Sequence, residues 1–211
     1  QLCGLSHFTI FTFIVLSLFV NYLNNTKLKL IIPAFNAIVK EDNTHIEWLG
    51  MDSAVSVNSD GDKMSGDITL EGLRLNKKDT QINTGEVTTE YNLHKTDLGF
   101  YVGDASLSIP SVSIKNNNQD LFKLDDLEVY TSSDVDKDLF NSHFKASLDK
   151  LITNNQTYGP GNIEMAIRNL DANILAKVSQ VVQSTQQASE QEKQQALMAI
   201  LPDLPKIFTR G

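Results

Sequence analysis

Four histidines are the first side chains in this sequence that could bind a metal ion or act as a general base, because neutral imidazole does both near neutral pH. Zinc sites that can be recognised from sequence place histidines at short fixed spacings, of which His-Glu-x-x-His is one example. The histidines here are far apart and match no such spacing: His7, His45, His94 and His143. We therefore interpret them as exposed or packed side chains and predict no metal site.

Two aspartate-rich segments, residues 58–62 and 134–138, could present alternate oxygens to a calcium ion. An EF-hand loop also needs glycine at its sixth position for a sharp turn and glutamate at its twelfth as a bidentate ligand. Neither segment has these residues, and the twelfth position of the second is Lys145. We predict a hairpin turn at the first segment and a helix N-terminus at the second.

Nucleophilic catalysis would need an activated side chain and donors for an oxyanion. The sequence has no Gly-x-Ser-x-Gly elbow, and its single cysteine, Cys3, lies in an apolar run that disfavours a thiolate. The Gly159-Pro160-Gly161 cluster lacks the spacing and the lysine of a phosphate loop, so it predicts a turn at the start of a strand. Trp48 could be a ligand platform, although a packing role is favoured. We predict no catalytic residue, no cofactor-binding residue and no cofactor.

The composition restricts the partners of the chain. Its 26 acidic and 18 basic residues give a formal charge of −8, and no basic stripe is present to neutralise phosphates, so nucleic acid is excluded as a partner. A single cysteine cannot form an internal disulfide and says nothing about the redox compartment. A chain of 211 residues can bury one substantial core.

Residues 1–26 form an apolar lead segment that begins at Gln1 rather than at a methionine. The uncharged run 8–20 could be a membrane helix or buried β structure. A membrane helix needs about 20 mostly apolar residues. This run is shorter, lacks a preceding basic residue and is rich in β-branched and aromatic residues. These features favour buried β structure, with the membrane segment as the alternative, and we expect the chain to be part of a longer protein.

Residues 27–132 are predicted to form a meander of antiparallel strands. Apolar and polar residues alternate, as around Val55 and Val57, and the polar positions are rich in Thr, Ser, Asp, Asn and Lys, which suits a sheet that is wet on one side. Pro33 cannot donate a hydrogen bond to a neighbouring strand and predicts an edge strand or a bend. The alternation shifts by one residue at three further positions, where we predict bulges or bends: Gly72, Gly85 and Pro110.

Residues 133–211 are predicted to contain helices and one or two strands. Apolar spacings of three and four predict a helix over 134–152, followed by a turn-rich linker over 154–161. Alternation at 163–167 predicts one further strand. The expected fold class is thus α+β and mainly β, with a long bent antiparallel sheet and C-terminal helices packed on it. The 211 residues form a single domain or the C-terminal part of a larger one.

Two helices are predicted near the C-terminus. Asp171 can cap the first, and Ser189 with Glu192 has the form of a capping box for the second, which Pro202 ends. Residues 183–187 are expected to be a solvated linker, and the apolar segment 204–208 either packs back or continues as a strand. We expect the apolar stripe of the first helix to face the sheet, with a second protomer or a lipid as alternatives. The stripe consists of Ile174, Leu175, Val178, Val181 and Val182.

Three segments resemble a known family. They are residues 158–165 (YGPGNIEM), 167–172 (IRNLDA) and 46–50 (IEWLG), the last followed by Leu70, Gly72 and Leu73. From Trp48 onward the chain resembles the YdgA-like bacterial envelope proteins of unknown function. The resemblance implies a β-rich body that faces the periplasm and is attached to the inner membrane by a segment of the full-length protein outside this chain. It carries over no functional residues.

Two function classes are compatible with these residues and with the resemblance. The first is a noncatalytic cell-envelope domain that serves as a scaffold or binds a lipid, an envelope protein or a second copy of itself. The second is a hydrolase whose site is assembled from scattered residues. A continuous apolar face without clustered titratable groups would favour the first class, whereas a pocket that joins a histidine to a carboxylate and a serine would favour the second.

Overall fold

The computed structural model describes residues 15–21, 25–185 and 189–208. The first strands are β1 Val15–Asn21, β2 Asn25–Ile32, β3 Phe35–Val39, β4 Thr44–Asn58, β5 Lys63–Lys77, β6 Thr80–Thr84 and β7 Val87–Lys95. They are followed by β8 Tyr101–Asn116, β9 Gln119–Asp136, β10 Leu139–Leu148, β11 Lys150–Thr153, β12 Gln156–Tyr158 and β13 Gly161–Asp171. The helices are α1 Ala172–Ser184, α2 Glu190–Ile200 and a 3-10 helix, Leu204–Phe208.

The described strands form one antiparallel sheet in which long strands alternate with interrupted ones. β4 pairs first with β3 and then with β2, and β5 and β8 each pair with both β6 and β7. β9 pairs with β10 and β11 on one side and with β8 on the other. β13 follows β10 as the last strand of this series. The prediction of a mainly antiparallel β fold with helices near the C-terminus is confirmed.

Two-residue turns explain why three of the hairpins form where they do. Both central residues have positive φ, the feature that matches such a turn to the twist of its strands. Asparagine and aspartate tolerate this conformation better than most residues, so five of the six positions suit it. The turns are Asn117-Asn118, Lys137-Asp138 and Asn154-Asn155, with φ between 49° and 67°.

The prediction of a helix over residues 134–152 is wrong, because this segment forms strands. β9 continues to Asp136, the chain turns, and β10 and β11 cover most of the rest of that segment. The helix N-terminus predicted at 134–138 is instead a strand end and a hairpin turn. Phe140, Phe144 and Leu148 are spaced by four residues, and a spacing of four places side chains on one side of a strand as well as of a helix. The pattern of these apolar residues therefore could not distinguish the two structures.

A line of backbone irregularities crosses the sheet from strand to strand, and we call it the seam. Gly50 pairs with Gly72 between two shifts of the β4–β5 register. In the neighbouring strands the Gly85 N–H donates to the Ser111 carbonyl at 2.8 Å. The seam consists of Pro33, Gly50, Gly72, Gly85, Pro110, Asp126, Asp149 and Pro160.

Apolar residues change phase by one position at the seam. In β5, Ile68 is followed across the seam by Leu73, and in β8 Ile109 is followed by Val112. A one-residue shift would move side chains to the other face, but an extra residue at a bulge or bend keeps them on the same face. The irregularity predicted at Gly72 is confirmed by the register shift, and the one at Gly85 by the break between β6 and β7.

Of the two irregularities predicted at prolines, the one at Pro33 is a break between strands, whereas Pro110 lies within a strand that keeps its register. Pro33 lies between β2 and β3, so the chain bends there as predicted. At Pro110 the pairing of β8 with β9 continues without a shift, from Ile109 with Leu127 to Ser111 with Asp125. The left-handed residue of this strand pair is Asp126, with φ of 50°.

The described part of the apolar lead segment is a strand. Residues 15–20 belong to β1, which pairs with β2 from Val15 opposite Ile31 to Asn21 opposite Asn25. The prediction of β structure is confirmed for these residues, and residues 8–14 lie outside the described part. None of the helices in the described ranges is long and apolar enough to cross a membrane.

The C-terminal helices begin as predicted. α2 ends at Ile200, just before Pro202, whereas α1 runs to Ser184, two residues into the predicted linker. Asp171 caps α1, since its carboxylate accepts hydrogen bonds from the backbone N–H groups of Asn173 and Ile174 at 3.0 and 3.2 Å. The capping box is also confirmed, because the Ser189 N–H donates to Glu192 at 2.8 Å and the Glu192 N–H to the Ser189 hydroxyl at 3.4 Å. The segment 204–208 packs back as a 3-10 helix that contacts α1 and β13.

The helices occupy one end of the sheet. Residues 161–169 of β13 are exposed, and burial begins at Leu170 and Asp171 where the strand joins α1. The buried hydrophobic residues of the described chain are mostly helical: Ala172, Ile174, Ala176, Ile200 and Ile207, with Val102 from β8. Most of the sheet therefore lies outside the part that the helices cover.

One ion pair between the β3–β4 turn and β5 predicts a pH dependence. Asp42 lies 2.6 Å from the Lys77 ammonium and accepts from the Thr44 hydroxyl at 2.6 Å. The hydrogen bond from Lys77, and then that from Thr44, lowers the pKa of the Asp42 carboxyl from 3.8 to about 2. A carboxyl with a lowered folded-state pKa stabilises the fold above its unfolded value and loses that effect as the pH falls through the folded value.

We expect Asp42→Asn to lower the melting temperature at neutral pH. The difference from the wild type should shrink as the pH falls from 3.8 towards 2, because the wild-type carboxylate then becomes neutral as well. Thermal unfolding of both proteins over this range measures the effect. A difference that stays constant across the range would show that Asp42 acts through its shape rather than its charge.

Candidate functional site

One face of the sheet is apolar across eight strands. Cross-strand neighbours lie on the same face of a sheet, so the register identifies its rows. One row is Leu28, Val55, Gly66, Tyr91, Ala105, Thr131, Phe144 and Met165. The next is Leu30, Ser53, Ile68, Thr89, Leu107, Val129, Ala146 and Ile163. At about 4.8 Å per strand these rows are about 34 Å long. We call this surface the apolar face.

The exposure of the apolar face varies from its middle to its margins. Ile68 and Leu107 in the middle are half-buried, whereas at the β13 margin Ile163 and Met165 are 59% and 56% exposed. Leu28 at the opposite margin is 38% exposed. Side chains of the central strands thus shield one another, and no described element covers them as the second layer of a domain would.

The opposite face is polar and carries two grooves described below. Its two matching rows are Lys27, Ser56, Ser65, Asn92, Asp104, Ser132, His143 and Ala166, and Lys29, Ala54, Asp67, Glu90, Ser106, Tyr130, Lys145 and Glu164. A groove of about 830 Å³, which we call the first groove, runs along these rows from Lys27 to Tyr130. We call this surface the polar face.

Tyr130 and Asp104 form a hydrogen bond in the first groove. The Tyr130 hydroxyl donates to the Asp104 carboxylate at 2.7 Å. This bond to the neutral phenol raises the pKa of Tyr130. The tyrosine thus remains a neutral donor at neutral pH, and the residue is 40% exposed.

A second groove, of about 670 Å³, brings together a histidine, a carboxylate and serines that are distant in sequence. It is lined by Ser132, His143 and Glu164 from three adjacent strands. The His143 Nε2 lies 2.8 Å from a Glu164 oxygen. That hydrogen bond, followed by the charge of Lys145, lowers the pKa of Glu164. This group is not apparent from the spacing of its members in the sequence.

The geometry of this group does not activate a serine. Ser132 is the cross-strand neighbour of His143, but in the described ranges no hydrogen bond joins a serine hydroxyl to the imidazole. The Glu164 side chain is 65% exposed, so water is not excluded from the pair. A serine nucleophile needs a base within hydrogen-bond reach and a site sheltered from solvent, and neither condition is met.

The other histidines and the aspartate-rich turn have separate positions. His45 is exposed in β4, His94 lines the same groove as His143, and His7 lies outside the described residues. Within the described ranges, no group of three or more His, Cys, Asp or Glu side chains could hold a metal ion. The predicted hairpin turn at residues 58–62 is confirmed, and the Asn58 side chain accepts from the Lys63 N–H at 2.9 Å.

Trp48 and the glycine-proline cluster have packing and turn roles. Trp48 stacks on Phe35 with ring centroids 6.2 Å apart, which supports its interpretation as a packing residue at the start of the meander. Gly159-Pro160 contains a cis peptide bond and separates β12 from β13, as expected for a turn at the start of a strand.

Comparison with known proteins gives a family without an assigned activity. A family model described as "Bacterial protein of unknown function (DUF945)" matches residues 8–211. No curated protein and no solved structure matches the chain.

Proposed function

This chain belongs to the DUF945 family of bacterial proteins of unknown function, and we propose that it is a noncatalytic, periplasm-facing cell-envelope domain that binds the acyl chains of a lipid. The envelope location is suggested by the YdgA-like resemblance. The lipid is suggested by the apolar face, which is continuous across eight strands and lacks a covering layer in the described structure.

The apolar face, which no described element covers, is the main support for this proposal, because a large exposed apolar area is unfavourable in water. Burying one Leu, Ile or Val side chain contributes about 1.5–3 kcal/mol, and the two rows hold many such residues. Large contiguous apolar patches on soluble domains are usually interaction sites. The acidic chain has no basic patch for anionic headgroups, so the acyl chains rather than the headgroup would supply the binding energy.

A matched pair of variants in β5 tests the proposal. We expect Ile68→Asp, on the apolar face, to reduce retained lipid at least about tenfold, since a lost contact of about 1.4 kcal/mol is already tenfold. Thr69→Asp removes a β-branched residue from the same strand and adds the same charge on the polar face, and it should retain lipid. Native mass spectrometry of protein purified from bacterial membranes measures the bound lipid.

A second variant distinguishes loss of lipid binding from misfolding of the protein. Leu28 at the margin is already 38% exposed, so Leu28→Asp should leave the melting temperature nearly unchanged and still weaken lipid retention. If wild-type protein copurifies with an apolar protein partner and no lipid, the acyl-chain proposal is wrong and the apolar face is a protein-binding surface.

The alternative function, a hydrolase, rests on the groove that joins Ser132, His143 and Glu164. The absence of a serine–histidine hydrogen bond in the described residues argues against it. We expect a fluorophosphonate probe not to label the protein. Labelling that Ser132→Ala abolishes, with the fold intact, would replace the noncatalytic proposal with the hydrolase.

A further inference from the structure

Among the described strands that border the apolar face, β13 has the longest exposed edge. β13 pairs with β10 through one of its edges, and residues 161–169 are exposed on both faces. An exposed edge strand presents free N–H and C=O groups to a strand of another chain, and proteins usually protect such edges. Here Ile163, Met165 and Ile167 add exposed apolar side chains to the edge.

The charges on β13 are arranged so that the strand can pair with a copy of itself. In an antiparallel pair centred on Ala166, Glu164 lies opposite Arg168 of the second copy, and the two-fold axis repeats this contact. Met165 then lies opposite Ile167 of the second copy on the apolar face. The axis passes beside Ala166, whose small side chain fits against its own copy.

Arg168 supports this register from within the chain. It is exposed and lines the groove near His143. In the described ranges it makes no ion pair or side-chain hydrogen bond, whereas Glu164 contacts His143 and Lys145. Arg168 can therefore form an ion pair with Glu164 of a second copy, and Glu164 with Arg168 of that copy.

We propose that two copies of this chain pair antiparallel through their β13 edges, centred on Ala166, so that two sheets and their apolar faces become continuous. The inference concerns a protein surface and does not depend on which ligand the apolar face binds.

Charge reversal tests the register. Arg168→Glu places two carboxylates opposite each other, and Glu164→Arg places two arginines opposite each other, so each should weaken the dimer at least about tenfold. The double variant restores opposite charges and should restore the dimer. Sedimentation equilibrium over a concentration series measures association, with circular dichroism as the check that each variant folds. A monomeric wild type, or a double variant no better than either single one, would overturn the proposal.

Cross-linking provides an independent test that tolerates a weak dimer. In a Cys3→Ser background, Ala166→Cys should form an intermolecular disulfide, because facing residues of antiparallel strands have Cα atoms about 4.5–5.5 Å apart and disulfides span that distance. Asn162→Cys lies on the same face of β13 but away from the axis and should not cross-link. Equal cross-linking of both variants would contradict the register. Loss of lipid with cross-linking intact would refute only the proposed function.

Discussion

Replacing Gly72 with alanine is expected to lower the melting temperature of this domain by roughly 6–12 °C, which corresponds to about 3 kcal/mol for a chain of this size. Gly72 has φ of +135°, a conformation that residues with a Cβ rarely adopt. A Cβ at this position would also lie 2.8 Å from the Thr84 carbonyl oxygen and 3.1 Å from the Leu49 side chain. Backbone strain of about 1–3 kcal/mol and overpacking of similar size would add.

The matched control is Gly161→Ala in β13. Gly161 also belongs to the sheet, but its φ is ordinary and no atom lies within 4 Å of the added methyl group. The free energy of unfolding should change by no more than about 0.5 kcal/mol. Thermal and urea unfolding of the two variants measure the difference. Equal effects of both substitutions would mean that the seam does not depend on glycine at position 72.

The bulge at Gly72 also determines which side chains of β5 lie on the apolar face. The bulge at Gly72 keeps Ile68 and Leu73 on one side of β5 although they differ in parity. A domain that shifted its register to relieve the strain would move one half of the strand to the polar face. Gly72→Ala should therefore also weaken lipid retention, to an extent that follows its loss of stability.

The sheet could be predicted from the sequence where the alternation of apolar residues is strict. The phase change between Leu70 and Leu73, with Gly72 at the switch, correctly predicted an irregularity there. The segment 134–152 could not be assigned in the same way, because the spacing of four between Phe140, Phe144 and Leu148 fits a strand as well as a helix. The hairpin turn in this segment is formed by Lys137 and Asp138, both with positive φ. Lysine-aspartate is a weaker sequence signal for such a turn than asparagine-glycine.

The candidate site was less predictable than the fold. Ser132 and His143 become neighbours through the β9–β10 hairpin. Glu164 joins them from β13, which follows β11 and β12 in the chain. Recognising this group required the correct strand assignment of 134–152. The position of β13 at the edge of the described sheet was likewise not apparent, because one sequence shows which residues alternate but not which strand ends a sheet.

The apolar stripe of α1 was predicted only in part. Ile174 is 8% exposed, as expected for a core position, but Val182 is 52% exposed. The buried residues instead include Ala172 and Ala176, whose small side chains allow close packing. Alanine has little apolar surface, so it does not stand out in a hydrophobic stripe. Whether an alanine is buried depends on the element that packs against it. Of the predicted linker 183–187, residues 183–184 belong to α1, and residues 186–187 lie outside the described residues.

Ile174→Asp is expected to unfold the C-terminal helices while most of the sheet remains folded. Ile174 is buried, and its backbone N–H donates to the Asp171 cap. Truncating a buried isoleucine costs about 2–5 kcal/mol, and burying an unpaired carboxylate adds to that cost. Because α1 contacts β13, α2 and the 3-10 helix, the loss should be confined to this end of the molecule. Hydrogen exchange should show protection lost in residues 172–208 and kept in β4, β5, β8 and β9.

The control, Gln180→Asp, adds the same charge to an exposed position of the same helix. It should change the free energy of unfolding by no more than about 0.5 kcal/mol, since it alters neither the cap nor a buried contact. Loss of protection throughout the sheet in Ile174→Asp would contradict the prediction of local unfolding. The helices would then be part of the cooperative core, although the described residues pack them on only one end of the sheet. Local unfolding would instead mean that the sheet is stable without the C-terminal helices, although no described element covers its apolar face.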